Sequence, residues 1–303
     1  MKLIRTIFIT GASGFIGGSI ANRLVKQGIR VRGLVRNPHK ADLLSACGIE
    51  PVLGDLDDAS LLTLEASQAD AVIHAASADH AHSIDALIQG LIGTSKPLLH
   101  TSGSSIVGDD ARGGKSTDLI YEEATPLVIQ DFKLPRRDID LKVLQAAQLG
   151  VRSTVICPSL IYGRGKGLNK QSVQIPFLLE NAQKSGRVQI VGAGLNVWSN
   201  VHIDDLVDLY LLALTKAPAG AFYFAENGEA SFAQIGNAIA KRLDINSVES
   251  LNPETAAHLW GVARAYYSFG SNSRVRSVRA RNELCWAPRH TSVIDWIANE
   301  MPI

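Results

Sequence analysis

The chain has 303 residues, of which 46% are hydrophobic and 19% charged. That is a globular composition, long enough for one large domain or two ordinary ones. A net charge of +1 and an aromatic content of 6% argue against a nucleic-acid binder that works by bulk attraction to phosphate or by base stacking.

The chain opens MKLIRTIFIT. Its apolar run is too short for a signal-peptide core, and no later stretch reaches the roughly 20 apolar residues of a membrane span. Short β-branched or apolar runs then alternate with helical patterns. Strands are expected at Leu3–Ile9, Ile29–Val35, Glu50–Leu53, Ala71–His74, Pro97–Thr101 and Arg152–Cys157. Helices are expected between them at Phe15–Gln27, Pro38–Ala46, Ala59–Gln68, Ile84–Thr94 and Phe132–Leu149. Asn37-Pro38 is a cap followed by a first-turn proline, and Gly28, Gly48 and Gly150 stand where helices end. This alternation predicts an α/β fold with a doubly wound parallel sheet.

After Gly163 the regularity breaks. Loops are expected over 164–175 and 192–200, and helices at Ile203–Thr215, Phe232–Leu243, Pro253–Ala265 and Val293–Glu300. Residues 1–163 read as a Rossmann-type nucleotide-binding domain, with 188–215 adding a strand and a helix to it. Residues 164–303 read as a smaller, interleaved lobe over the strand ends, where such sheets bind ligands. Cys47, Cys157 and Cys285 fit neither a disulfide framework nor a zinc site. A reducing, cytoplasmic setting is expected, with a small-molecule partner and no nucleic acid, membrane or metal.

The strongest signal is Thr10-Gly11-Ala12-Ser13-Gly14-Phe15-Ile16-Gly17, between an apolar strand and a helix. Gly11 permits a tight turn, Gly14 lets backbone approach a pyrophosphate, and Gly17 permits close helix–strand packing. The helix N-terminus, at Ser13, Phe15 and Ile16, offers free amides to an anion. The second strand ends Leu34-Val35-Arg36-Asn37 with no carboxylate for a ribose 2′-OH. Arg36 can fork onto a 2′-phosphate instead, with help from Arg32 on the same strand, which favours NADP over NAD.

Further along stand Gly54-Asp55-Leu56-Asp57, His74-Ala75-Ala76-Ser77 and Cys157-Pro158-Ser159-Leu160-Ile161-Tyr162-Gly163. Trp198 and Val201-His202-Ile203-Asp204-Asp205 follow, and then Glu283-Leu284-Cys285-Trp286-Ala287-Pro288. In this order, with the glycine turn, they resemble the short-chain dehydrogenase/reductase superfamily. The branch they resemble is the extended and atypical one, related to NAD-dependent epimerase/dehydratases. The resemblance covers nearly the whole chain. It implies that Asp55 and Leu56 meet the adenine, that Ala75, Ala76 and Ser77 lie along the cofactor, and that Pro158 stands beside the nicotinamide. It also implies that Ile84–Thr94 and Phe132–Leu149 pair two subunits, although Arg136, Arg137, Asp140 and Lys142 make the second helix polar enough for a monomer.

Such enzymes use a Ser or Thr, a Tyr and a Lys, the last two as Y-x-x-x-K. Here Phe132 and Arg136 stand at those positions. Phenylalanine carries no proton, and arginine keeps a cation near the ribose without ever donating one. Aligning on Gly108 puts Gly103 at the hydroxyl position, flanked by Ser102 and Ser104, and a one-residue shift would restore a serine. The resemblance therefore offers Ser102 or Ser104 as the carbonyl-binding hydroxyl and Arg136 as ribose anchor or electrostatic stabiliser, with Ser102 and Arg136 also against the cofactor.

The literal Tyr162-Gly163-Arg164-Gly165-Lys166 is a chance match in a loop, which leaves Tyr162 as a weaker candidate. Asp79, His80, His82 and Tyr121 are others. Arg274, Arg276, Arg279 and Arg281 read as a solvated face spread around a helix. Two functions follow. One is an NADP-dependent oxidoreductase, or an epimerase/dehydratase-like enzyme, on a small carbonyl or hydroxyl substrate. The other is an NADP-binding sensor without turnover.

Overall fold

The computed structural model describes residues 4–303, so Leu3, the expected start of the first strand, lies outside the described residues. The first half runs β1 Thr6–Thr10, α1 Phe15–Lys26, β2 Arg30–Val35, α2 Pro38–Ala46 and β3 Glu50–Leu53. It continues with α3 Ala59–Gln68, β4 Ala71–His74, α4 Ala81–Leu91, β5 Pro97–Thr101, α5 Leu134–Gln145 and β6 Arg152–Pro158. The second half holds β7 Leu160–Tyr162, α6 Gln174–Ser185, β8 Val188–Val191, β9 Val197–His202, α7 Ile203–Lys216, β10 Ala221–Ala225 and β11 Glu229–Ser231. It ends with α8 Phe232–Arg242, β12 Val248–Leu251, α9 Pro253–Trp260, α10 Val262–Arg264, α11 Val278–Leu284 and α12 Val293–Asn299.

Seven strands form one parallel sheet in the order β3-β2-β1-β4-β5-β6-β10. The alternation of side chains along β1 explains its two covered faces. Ile7 and Ile9 face a core shared with Ile20 and Leu24 of α1 and Leu206, Leu209 and Tyr210 of α7. Phe8 faces the other core, with Leu62 of α3, Leu87 of α4 and Val143 of α5. A third core lies in the smaller lobe around Phe232, Ile235, Phe269 and Ile297. The fold is a Rossmann-type α/β sheet with a smaller C-terminal lobe.

Several boundaries differ from expectation for identifiable reasons. The seventh strand is β10, outside 188–215. All five residues of β10 are buried, whereas β8 pairs with β12, and β9 with β7 and β11, in two small sheets. Within 188–215 α7 packs along the large sheet's core, joined by Val201 of β9. The helix expected from Phe132 begins at Leu134 after a 3-10 turn, Asp131–Lys133, because Pro135 must sit in the first turn. α4 begins at Ala81, where His80 Nδ1 accepts the Ser83 amide as a cap. The helix expected over Pro253–Ala265 breaks at Gly261, whose φ is +85°. The first two residues of α6 and the first four of β9 lie where loops were expected, and the rest of α6 falls where no element was expected. Among the described residues no helix is long and apolar enough to cross a membrane.

Candidate functional site

β1 sits between β2 and β4, so the chain leaves the sheet in opposite directions on its two sides. A crevice opens there, at the strands' carboxyl ends. Gly11 has φ +77°, and a Cβ on it would lie 2.6 Å from the carbonyl oxygen of Ala75. A Cβ on Gly17 would lie 2.4 Å from the carbonyl oxygen of Gly11. Turn, helix and the segment after β4 therefore touch backbone to backbone. Helix α1 opens after Gly14 with no side-chain cap and no acidic residue in its first turn. Its N-terminal amides remain available to an anion.

Ser13, Gly14 and Ile16 are part-exposed along this crevice, as are Ala75 and Ser77, while Ala76 is exposed and Phe15 buried. Asp55 is exposed, with its Oδ1 accepting the Asp57 amide at 2.8 Å, and Leu56 packs on the core. At the end of β2 Arg36 is exposed and has no ion-pair partner among the described residues. Arg32 cannot assist it. Its guanidinium is forked onto Glu65 at 2.6 and 2.7 Å and also bonded to Glu50. An extended dinucleotide fits this arrangement: bare glycine backbone, a free helix end and an unpaired cation.

The crevice continues into a cavity of about 590 Å³ between the strand ends and the lobe, lined on one side by Phe15, Ile16, Ala75 and Pro158. Gln171, Val173, Trp198 and Tyr267 line the other side. Three groups meet in its wall. Arg136 is clamped by Asp79, its Nε and Nη2 donating to the two carboxylate oxygens at 2.7 and 2.5 Å. Arg136 Nη1 donates to Ser105 Oγ at 3.0 Å, and Lys133 Nζ donates to the same oxygen at 3.1 Å.

The two expected serines, Ser102 and Ser104, line the same cavity, each with its hydroxyl bonded within the protein. Ser102 Oγ donates to Asp140 at 2.9 Å, and Ser104 Oγ pairs with Ser273 Oγ at 2.8 Å. Both serines are buried. The 3-10 turn Ser104–Val107 sets Ser105, part-exposed beside the buried Ser104, in the same cavity wall. Sequence reasoning missed Ser105 and Lys133. The adjacent Ser-Ser and Phe-Lys pairs were the only signal for either.

Phe132 is exposed and stacks on Tyr267, a lining residue, with ring centroids 3.7 Å apart. The remaining candidates are engaged elsewhere. Tyr162 is buried between His202 and Trp296, and burial pushes its hydroxyl far up, away from proton exchange at neutral pH. Tyr121 is buried in the core and pairs with Val275. His80 caps α4 and contacts Asp57 at 3.1 Å, while His82 is exposed. Only Arg279 and Arg281 lie on a helix. All four clustered arginines are paired: Arg274 and Arg276 with Glu229, Arg279 with Glu283, and Arg281 with Glu226. His202, Asp204 and His290 come close enough to hold a metal ion. However, His202 Nδ1 already caps α7 through the Asp204 amide, and His290 Nδ1 lies 3.0 Å from Asp205.

Behind the cavity wall runs a buried polar chain. Ser83 Oγ lies 3.0 Å from His74 Nε2, and His74 Nδ1 lies 3.2 Å from His100 Nδ1. His100 Nε2 faces Asp140 Oδ1 at 3.7 Å, and Asp140 Oδ2 accepts from Ser102. Burial holds His74 down at about 4 and His100 well below its usual range, so both rings are neutral. Burial raises Asp140 to about 7, against the opposing pull of the Ser102 bond and two arginines. With the His100 ring neutral, the His100–Asp140 approach is not an ion pair.

A family model for NAD(P)H-binding proteins matches residues 11–100, and the NAD dependent epimerase/dehydratase family model matches 93–223. The oxidase ucsJ of Acremonium sp is 32% identical, over 94% of this chain and 93% of its own. A 4-hydroxy-2-methyl-3-oxo-4-farnesyl-3,4-dihydroquinoline-1-oxide ketoreductase of Stigmatella aurantiaca is 27% identical, over 94% and 92%. The dTDP-glucose 4,6-dehydratase of Bacillus anthracis, solved with NAD, superposes with a TM-score of 0.76 at 17% identity, covering 97% of both chains. The glycine turn, the sheet order and these likenesses agree. The chain belongs to the NAD-dependent epimerase/dehydratase family, the extended short-chain dehydrogenase/reductases, as an NAD(P)-binding, epimerase/dehydratase-like oxidoreductase.

Proposed function

We propose that the chain is an NADP-dependent oxidoreductase that interconverts a carbonyl and a hydroxyl on a small organic substrate. The observation that carries this reading is the meeting of Ser105, Lys133 and Arg136 in the wall of a cavity continuous with the glycine-turn crevice. Gly11, Gly14 and Gly17, with the amides of α1 at Ser13, Phe15 and Ile16, would hold the pyrophosphate. Asp55 and Leu56 would meet the adenine, and Ala75, Ala76, Ser77 and Pro158 would flank the nicotinamide half. Arg36 would take the 2′-phosphate, and its lack of an ion-pair partner among the described residues supports NADP over NAD. When bound, the reduced cofactor supplies a hydride to a carbonyl carbon.

Residues 1–163 with α7 and β10 would form the cofactor unit, and the rest of 164–303 would close over the substrate. Lys133 and Arg136 are the only cations lining the cavity among the described residues, and Arg136 is neutralised by Asp79. That supports a substrate without a diphosphate group. The apolar surfaces of Trp198, Val173, Tyr267 and Ile161 suit an uncharged ketone or alcohol. The ketoreductase named above acts on a substrate of that class.

The absence of a phenol at Phe132 favours a second reading, a sensor that binds NADP without turnover. One experiment separates the two. Binding of NADP and NAD is measured by calorimetry, and loss of NADPH is followed with a panel of ketones. Ketone-dependent NADPH loss supports the enzyme. Tight NADP binding with no consumption across the panel supports the sensor and removes the first reading.

A further inference from the structure

Ser105 Oγ accepts from Lys133 Nζ at 3.1 Å and from Arg136 Nη1 at 3.0 Å. A hydroxyl oxygen has two acceptor lone pairs, and both are used by cations. The Ser105 proton has no acceptor among the described residues, and Ser105 lines the cavity. The two cations differ. Arg136 is forked onto Asp79 and never releases a proton at working pH. Lys133 has no carboxylate within ion-pair distance among the described residues. The other charged groups acting on it are Arg136 from α5 and Asp79 from the segment after β4.

We propose that Ser105 and Lys133 replace the missing tyrosine: Ser105 hands its hydroxyl proton to the substrate oxygen, and Lys133 resupplies Ser105. The inference rests on the oxidoreductase reading above. In the reducing direction the carbonyl carbon would receive a hydride with its electron pair from bound NADPH. The substrate oxygen gains an O–H bond as the Ser105 O–H bond breaks. Ser105 Oγ takes a proton from Lys133 Nζ, leaving a neutral amine that solvent reprotonates. Arg136 stabilises the charge passing through Ser105 without losing a proton. Burial, helped by Arg136, holds Lys133 down at about 8. Its ammonium therefore gives up a proton far more readily than an ordinary lysine does. Ser105 is the catalytic residue here, and Lys133 acts through it.

The test uses the full chain and three variants, Lys133→Met, Lys133→Arg and Ser105→Ala. The first readout needs no turnover. Acetylation of each lysine with acetic anhydride is followed by mass spectrometry across pH in the unliganded protein. Half-maximal labelling of Lys133 is expected near pH 8, well before ordinary lysines at about 10.4. Labelling of Lys133 only with that ordinary population overturns the proposal. The second readout is ketone reduction. Wild-type kcat should fall as pH rises through about 8. Lys133→Met and Ser105→Ala should lose about 10²- to 10⁴-fold in kcat, with the NADP dissociation constant unchanged. Lys133→Arg keeps the cation but should not restore kcat and should lose the pH step. Full kcat with the wild-type pH profile in Lys133→Met sinks the inference. A wild type that consumes no NADPH on any ketone sinks the underlying reading instead, so the two failures are distinguishable.

Discussion

Asp140 is fully buried on α5, with one hydrogen bond from Ser102 and one oxygen facing His100 Nε2. The proton positions along its chain can be followed from the surface inward. Ser83 Oγ gives its proton to the carbonyl of His80, so it accepts from His74 Nε2. His74 Nδ1 must then accept from His100 Nδ1, which leaves His100 Nε2 an acceptor as well. Asp140 Oδ1 faces that acceptor at 3.7 Å with no hydrogen bond between them, an approach that favours a protonated over an ionised carboxyl and agrees with the rise of Asp140 from 3.8 to about 7. Asn at 140 would set an amide N–H opposite His100 Nε2 and a carbonyl opposite Ser102, and it never ionises. A folded-state value above the unfolded one means that the native state binds more protons between about pH 4 and 7. The wild type is therefore destabilised as pH rises through that window, and the penalty is complete above 7. About 3 units at 1.36 kcal/mol each sets a ceiling of ~4 kcal/mol, of which ~2 kcal/mol develops between pH 5.5 and 8.5. Urea unfolding at those two pH values measures it. The advantage of Asp140→Asn over wild type should widen by ~2 kcal/mol at the higher pH with an unchanged m value. A difference that stays constant with pH, or an Asn variant less stable at pH 8.5, would refute a protonated Asp140.

Three further outcomes follow from the same geometry. Arg36→Ala should weaken NADP binding by about 10- to 100-fold, the worth of a charge-assisted bond, and leave NAD binding unchanged; calorimetry with both cofactors checks it. Gly11→Ala should lower thermal stability and abolish cofactor binding, because the added methyl meets the Ala75 carbonyl at 2.6 Å on a φ of +77°; a variant that binds NADP normally would show the turn to be more yielding than its packing. Tyr162→Phe removes a buried hydroxyl that has no partner, so it should leave the pH profile of turnover unchanged and raise stability by up to about 1 kcal/mol in urea titration.

Much of the nucleotide half was legible because its elements are bounded by local chemistry. The Asn37 cap with Pro38 begins α2, and its side chain does accept the His39 amide. The helix α3 and the strands β3, β4 and β5 fall on their expected residues. What escaped depends on distant neighbours. β10 is a fully apolar AFYFA run that becomes a sheet strand only by pairing with β6, across residues whose other strands build the lobe. Arg32 looked like a second phosphate ligand because strand order was needed to bring Glu50 of β3 and Glu65 of α3 against it. The four late arginines looked solvated for the same reason, since two of their three carboxylate partners come from near β11.

The cavity end was illegible for a different reason. Aligning on Gly108 puts Gly103 at the hydroxyl position, and a Cβ there would stand 3.6 Å from Arg136 Nη1. What the register does not carry is the 3-10 turn from Ser104, which brings a hydroxyl to that same guanidinium from two residues further along. The short turn ahead of α5 likewise presents Lys133 to the cavity, while Phe132 stacks outward on Tyr267. Pairing then decides which cations remain free along the crevice. Arg32 is held by Glu50 and Glu65, and Arg136 by Asp79. Arg36 and Lys133 have no such partner among the described residues. On the proposed reading they would stand at opposite ends of the bound dinucleotide. A chain of net charge +1 would thus discriminate a phosphorylated cofactor at one end and supply a proton at the other, because what matters is where charge is left unpaired rather than how much the chain carries.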